Sequence, residues 1–351
     1  MFSKIRPFIF KLDPELAHDL AIKALKTNLI VQDNKESKSI LKTQLFGKEI
    51  PNPIGIAAGF DKNAEVYSKI LNLGFGFIEV GTVTPRPQEG NPKPRVHRIK
   101  KEGSIINSLG FNSIGFKKVK ANLLNKKTEG IIGVNIGANK DSKIFIDDYI
   151  SGIKFFSNHV SYITINISSP NTPGLRELHM KKNLKDLLEK IKRLKTNNEI
   201  LEVPLLIKIS PDVNDDDLCV MCDIFLEFKV DGIIISNTTL ERPFKGFGEN
   251  LKGGLSGELL YLASTNQLKR VYEYTKGQIP LIGVGGISSA KDAYNKIRNG
   301  ASLVQLYTGI VYHGPGLIKK MNSEISALLK NDGFDSISDA VGVDAEIKNG
   351  T

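Results

Sequence analysis

The residues best suited to chemistry lie where apolar runs of the chain give way to polar ones. In YITINISSPNTPGLR, residues 162–176, a β-branched run from Tyr162 to Ile167 passes straight into Ser168, Ser169, Pro170, Asn171, Thr172 and Pro173. A connecting loop accounts for the prolines and for Asn171. It does not account for Asn166, because an amide inside a buried strand is costly unless it is hydrogen-bonded. Similar changes of character follow seven other runs, at Ala58, Gly59, Asp61 and Lys62; at Gly81 and Thr82; and at Asn135. Further along they fall at Lys208; at Ser236, Asn237 and Thr238; at Gly285 and Gly286; and at Tyr307 and Thr308.

These strand-end residues are rich in amides, hydroxyls and glycines, with two lysines, and they include no histidine and no pair of carboxylates. A hydrolytic metal needs His, Asp or Glu ligands, and glycoside hydrolysis needs two facing carboxylates, so both chemistries lose their basis. What remains suits a planar heteroaromatic ligand held by amide hydrogen bonds, with lysines supplying positive charge. Glycines in GVGGI (283–287) and in YTG (307–309) fall where barrels bind phosphate through backbone N–H groups. A phosphorylated flavin meets all three demands. Lys208 stands in an otherwise apolar strand, where an ammonium needs an anionic partner, and a reduced flavin would be one.

Such residues must be brought together by the elements that carry them. From residue 53 onward a short apolar run ending in polar or glycine residues recurs, each followed by an amphipathic segment. The runs begin at Pro53, Phe75, Ile131, Tyr162, Val203, Gly232, Ile279 and Ser302. Near-continuous Ile, Val and Leu mark strands covered on both faces, as in a parallel sheet. Eight units predict an α/β fold, a closed (β/α)8 TIM barrel, with a doubly wound open sheet as the alternative. The segment from Leu184 places Leu184, Leu187, Leu188 and Ile191 on one helical face, and SAKDAYNKIRNG from Ser289 reads as a helix closing on Gly300. One connection is too long for a simple turn: TPRPQEGNPKPRVHRIKKEGSIINSLGF after Val83, a length that usually signals function.

The totals set outer bounds. The 351 residues, 40% hydrophobic and 25% charged, can build one large soluble domain or two small ones. A net charge of +10 is compatible with nucleic acid, an anionic membrane or an acidic substrate, and equally with none of them. Cys219 and Cys222 lack the further Cys or His pair of a zinc set and read as helix residues facing a core in a reducing compartment. No run reaches the roughly 18 apolar residues of a membrane span. The chain therefore reads as cytoplasmic, with contact to a membrane left open.

The first thirty residues stand outside the repeat. Asp13 before Pro14 is a helix start, beyond which Leu16, Leu20 and Ala24 recur every four residues. Before it, Phe2, Ile5, Phe8, Ile9 and Phe10 mix with Lys4, Arg6 and Lys11. Apolar aromatics with basic neighbours suit an interfacial membrane helix, and a helical pair packed on the barrel is the equal alternative.

Taken together, AAGFDK (57–62), GTVTPRPQ.GNPKPR (81–95), N.LGFN (107–112), NISSPNTPGLR (166–176), SNTT (236–239), GGLSG (253–257) and GVGGI resemble the dihydroorotate dehydrogenase family over nearly the whole chain. The resemblance implies an FMN-dependent oxidation of dihydroorotate to orotate in pyrimidine synthesis. Ser169, where the soluble class has cysteine, together with KLDPELAHDLA and the C-terminal GFDSISDAVG, points to the quinone-reducing class. It implies a helical extension, residues 1–46, on a flavin-binding barrel, residues 47–351. That extension would rest on the cytoplasmic face of the cell membrane as a peripheral anchor and quinone entrance, with no nucleic acid and no obligate protein partner.

Carried over position by position, flavin contacts are expected at Ala58, Gly59, Phe60, Asp61, Lys62, Thr82 and Asn135, and at Asn166, Lys208, Ser236, Gly257, Gly286, Tyr307 and Thr308. Substrate contacts are expected at Lys62, Asn107, Ser108, Leu109, Gly110 and Phe111, and at Asn166, Asn171, Asn237 and Thr238. Ser108 departs from the family's arginine, and Ser236 replaces a common threonine while keeping the hydroxyl. Ser169 is implied as the base, with Thr172 as its proton relay. His18, Arg98 and Tyr307 would line the quinone tunnel, and no metal is expected. Fumarate- or NAD-linked oxidation, a flavin-dependent tRNA dihydrouridine synthase and a non-catalytic barrel are the alternatives.

Overall fold

The computed structural model describes residues 2–27, 38–125, 130–244, 246–248 and 250–347. A short hairpin, β1 (Thr43–Leu45) and β2 (Lys48–Ile50), precedes the repeat. The eight apolar runs form parallel strands β3 (Ile54–Ile56), β4 (Phe77–Val83), β7 (Ile131–Ile136), β8 (Tyr162–Asn166), β9 (Leu205–Lys208), β10 (Gly232–Ile235), β12 (Leu281–Val284) and β13 (Ala301–Leu306). They close into a barrel in sequence order, β13 pairing back onto β3. The expected (β/α)8 barrel is thus the observed fold, and the open sheet is excluded.

Strand alternation divides each run between two cores. Ile78, Val80, Val134, Ile136, Ile163, Ile165, Ile207, Ile233 and Ile235 point outward into the layer of helices. There Leu184, Leu187, Leu188, Ile191 and Leu194 of the helix Lys181–Thr196 meet the barrel wall. Ser289 starts the helix Ala290–Arg298 with a reciprocal capping box to Asp292. The inward residues stack in layers. At the bottom, Phe77, Tyr162, Leu206, Ile234, Ile282 and Leu303 fill the floor, and Ile50 with Phe46 of the hairpin plugs it. Above them lies a polar layer around the fully buried Glu79, and above that the mouth. The expected boundary at 46/47 falls in the hairpin's own turn, where Phe46 and Gly47 both have positive φ.

A second, antiparallel sheet of β5 (Val96–Ile99), β6 (Ser104–Asn107) and β11 (Gly254–Gly257) stands beside the mouth, with β6 in the middle. Two of its strands come from the long connection after β4. Helices α1 (Phe2–Ile9) and α2 (Pro14–Lys26) complete this end. Asp13 Oδ1 accepts from the N–H groups of Glu15 and Leu16, the expected cap. Buried Ala17, Ile22 and Leu25 hold α2 to the barrel, so a packed helix is part of the answer. The other face of α2 is bare, with Leu16 49% and Leu20 45% exposed, and so is Phe8 of α1, 69% exposed. Arg95, almost fully buried, donates from Nη2 to Glu15 Oε1 at 2.9 Å and from Nη1 to two carbonyls of the rim, fastening α2 to the mouth. Residues 28–37 of the extension, and the last four residues, lie outside the described residues. Among the described residues no helix is long and apolar enough to cross a membrane.

The floor packs because two strand positions lack a side chain. A Cβ on Gly133 would stand 2.1 Å from the Tyr162 ring, and one on Gly55 2.4 Å from Phe77. Gly133→Ala should therefore overpack the floor and cost about 1–3 kcal/mol, measured as a fall in chemical-denaturation midpoint. An unchanged midpoint would show that the ring has room to move.

Candidate active site

The strand ends, the β5–β6–β11 sheet and α2 enclose a cavity of about 250 Å3. From the barrel it is lined by Ala58, Gly59, Lys62, Thr82, Asn166, Ser169, Asn171 and Lys208, and by Ser236, Asn237, Thr238, Gly286, Tyr307 and Thr308. Asn107, Leu109, Gly110, Phe111 and Gly257 line it from the sheet side, and Pro14, Glu15, His18 and Asp19 from α2. Residues separated widely in sequence thus converge as the fold requires, at the C-terminal ends of the strands.

Six of the expected site residues stand elsewhere. Asp61 turns back to accept from the N–H groups of Glu65 and Val66, and Phe60 packs edge-on against His18 and Tyr307, with ring centroids 5.3 and 5.7 Å away. Asn135 lies one layer down, bonded to Glu79, Thr82 and Asn166. Ser108 spends its N–H on the Arg95 carbonyl and its own carbonyl on Asn91. Arg98 reaches α2's approach instead, donating to the Leu12 carbonyl with its guanidinium 4.8 Å from the Phe10 ring centre. Thr172 is buried outside the cavity lining and makes no hydrogen bond with Ser169 among the described residues. In each case the sequence shows a position along the chain and not the direction of the side chain.

Ser169 is 5% exposed, and its Oγ accepts from the Asn171 N–H at 3.3 Å. Arg176 braces this loop, donating to the Ser168 carbonyl, to Asp212 Oδ2 at 2.9 Å and to the Thr238 carbonyl. Two ammonium groups face the cavity without a hydrogen bond or ion pair among the described residues. Lys62 is lowered to about 8, chiefly because the surrounding protein strips its hydration, against the pull of Glu15. Lys208, buried on β9, is lowered by the same loss of water, with Glu79 opposing. Partnerless buried cations beside a cluster of amides fit an anionic, planar ligand, and Gly285 and Gly286, at φ +112° and +74°, bring bare backbone to the same wall. Among the described residues the Asn112 Oδ1 on the rim is also buried without a partner. A phosphorylated flavin fits this donor set. Neither Cys219 nor Cys222 lines the cavity; burial raises the Cys222 thiol to about 12. Among the described residues no cluster could hold a metal ion.

Sequence reasoning passed over Glu79 and Arg95, the charged groups that organise this end of the molecule. Glu79 was legible only as one acid inside FIEVGTV, and its inward direction follows from sharing strand parity with Phe77.

Fold and site together define a (β/α)8 barrel whose strand ends offer buried lysines and a cluster of amides suited to an anionic planar ligand. The model for dihydroorotate dehydrogenase matches residues 40–329. A dihydroorotate dehydrogenase (quinone) of Parvibaculum lavamentivorans is 47% identical over 99% of both chains. The mitochondrial dihydroorotate dehydrogenase (quinone) of Oryza sativa is 44% identical over 97% of this chain and 79% of its own. A ligand-free crystal structure of DHODH from Eimeria tenella superposes with a TM-score of 0.89 at 37% identity, covering 95% of this chain and 99% of that one. The chain belongs to the dihydroorotate dehydrogenase family, a flavin-dependent family.

His18 carries a titration signature of its place. Burial, reinforced by nearby Lys62, lowers it to about 4, so the folded protein holds a neutral imidazole where the unfolded chain protonates near 6.5. The stability this gives is present above pH 6.5 and is lost as pH falls toward 4. His18→Phe should lose less stability than the unsubstituted protein between about pH 6.5 and 4.5, as read by denaturant midpoints. Parallel losses would show that His18 titrates normally.

Proposed function

We propose that this protein oxidises (S)-dihydroorotate to orotate with FMN as cofactor and a membrane quinone as final acceptor. The observation that carries the reading is one continuous cavity that includes the partnerless Lys62 and Lys208, Ser169 with its amide neighbours, and α2. When bound, FMN would supply the acceptor for the substrate's hydride and the source of electrons for quinone.

The chain's own residues do the rest. Lys208 and the backbone at Gly285 and Gly286 would hold the cofactor's negative groups, and Ala58, Gly59, Thr82, Ser236, Gly257, Tyr307 and Thr308 would shape its slot. Lys62 meets the carboxylate of dihydroorotate. Asn107, Asn166, Asn171, Asn237 and Thr238 present donors and acceptors to the ring. Ser169 Oγ takes the proton from C5 as hydride leaves C6, and its near-complete burial keeps bulk water from that carbon. A serine is a weak base, so its proton must be passed on; because Thr172 makes no hydrogen bond to it among the described residues, the cavity side is the route we assign.

Quinone would enter between α2 and the rim, past His18 and Tyr307. The bare faces of α1 and α2, bearing Phe8, Leu16 and Leu20 beside the exposed Lys4, Lys11 and Lys23, suit an anionic lipid surface. This supports a peripheral enzyme on the cytoplasmic face of the cell membrane. The absence of either cysteine from the cavity lining disfavours the tRNA dihydrouridine reading, which requires one.

Ser169→Ala should retain bound flavin yet slow its bleaching by dihydroorotate about 100-fold or more in stopped-flow absorbance, the usual scale for losing a positioned base. Bleaching at the normal rate would end its role. The double substitution Leu16→Glu with Leu20→Glu should reduce sedimentation with vesicles containing phosphatidylglycerol and slow ubiquinone-dependent turnover, while bleaching by dihydroorotate stays within about twofold, because these side chains lie on the bare face. Unchanged vesicle binding would remove the helices from the membrane.

A further inference from the structure

Glu79 is closed inside the barrel, fully buried, on the inward face of β4. Asn135 Nδ2 donates to its Oε1 at 2.8 Å; the Thr164 hydroxyl, Gln305 Nε2 and the Tyr162 hydroxyl donate to Oε2 at 2.8, 3.1 and 3.3 Å. Four donors match the acceptor capacity of a carboxylate. That group has nothing to donate, so Asn135 must turn its NH2 toward it and its carbonyl toward the mouth. There Asn135 Oδ1 accepts from Thr82 Oγ1 at 2.6 Å and from Asn166 Nδ2 at 3.1 Å. With its NH2 committed below, Asn166 offers Oδ1 on the other side, where Asn237 Nδ2 donates at 3.2 Å and Ser168 Oγ at 3.1 Å. Asn237 Oδ1 in turn accepts the Thr238 N–H at 2.8 Å.

A side-chain amide presents a donor at one end and an acceptor at the other, and turning it over exchanges them. Here three amides are linked in series, and the first is referenced to a group that can only accept. We infer that Glu79 is a positioning residue: it fixes the donor and acceptor polarity of the Asn135–Asn166–Asn237 chain and so the hydrogen-bond pattern offered to the substrate ring. Thr82, Asn166, Asn237 and Thr238 line the cavity; Glu79 does not. The consequence is selective for a ring such as that of dihydroorotate or orotate, whose N–H and C=O groups alternate around its edge. This rests on the function proposed above.

Exchanging the two partners tests it. Glu79→Gln puts an amide where only an acceptor stood, and Asn135→Asp sets two carboxylates against each other. In the double variant, the amide introduced on β4 can donate to the carboxylate introduced on β7. The second oxygen of that carboxylate still accepts from Thr82 and Asn166, and the net charge below Lys208 is unchanged. Orotate binding to the flavin-loaded protein is measured by isothermal titration calorimetry, alongside flavin content and thermal midpoint. Each single variant should bind orotate about 10-fold or more weakly, the scale of one buried polar group left unmatched. The double variant should return to within about threefold of the unsubstituted protein, a coupling that independent sites would not show.

Binding by Glu79→Gln within about twofold of normal would overturn the inference, as would a double variant no better than the weaker single one. If the single variants lose flavin or fold poorly, the exchange must restore flavin content and midpoint as well, and failure to do so also overturns it. An unsubstituted protein that binds no orotate would remove the functional reading and this inference with it; normal binding that ignores the substitutions removes the inference alone.

Discussion

Enclosing the Glu79 carboxylate inside the barrel, shielded from water, obliges everything around it to be a donor. Asn135, Thr164, Gln305 and Tyr162 meet that demand from three different strands, so the requirement of one side chain sets the polar layer of the whole barrel. Below it the floor is apolar and tightly filled, with Gly55 and Gly133 giving room to Phe77 and Tyr162. Above it the polarity set by Glu79 passes upward through amides to the mouth. Support and site are therefore one stack, read from bottom to top of the same inward faces.

The mouth itself is governed by electrostatics of a different kind. Lys62 and Lys208 carry charge with little water and, among the described residues, no ion pair or hydrogen bond to hold it, a state that costs free energy until an anion arrives. Such residues keep the site poised toward negative ligands and make binding of the cofactor a stabilising event for the fold. The β5–β6–β11 sheet and α2 close over this charge from one side, while Arg176 holds the Ser169 loop against Asp212 and the Thr238 carbonyl from another.

Much of this was legible in the sequence. Each barrel strand is a run of Ile, Val and Leu ended by glycine or a polar residue, and the strand ends named most of the lining that the barrel itself contributes, including Asn166, Lys208 and Gly286. Direction was less legible. Asn135 and Asn166 both stand on inward faces, yet one lies a layer lower, because the strands end at different heights. The rim sheet could not be read at all: Ser256 bonds to Ile105 across 151 positions, and neither segment has an apolar run of its own. In α2 the four-residue repeat of Leu16 and Leu20 marks the bare face, while the packing face is carried by Ala17, Ile22 and Leu25, two sets of apolar residues that periodicity alone does not rank.

The contact between Arg95 and Glu15 changes how the N-terminal helices are to be understood. A guanidinium almost wholly shielded from solvent has its carboxylate supplied from α2, 80 positions away in the chain. Losing that carboxylate would leave a buried cation unanswered in the rim that also carries Asn107 and Phe111. The extension is for this reason a structural member of the barrel and no mere leash: the ion pair, added to the apolar contacts of Ala17, Ile22 and Leu25, ties any displacement of α2 to the lip of the cavity.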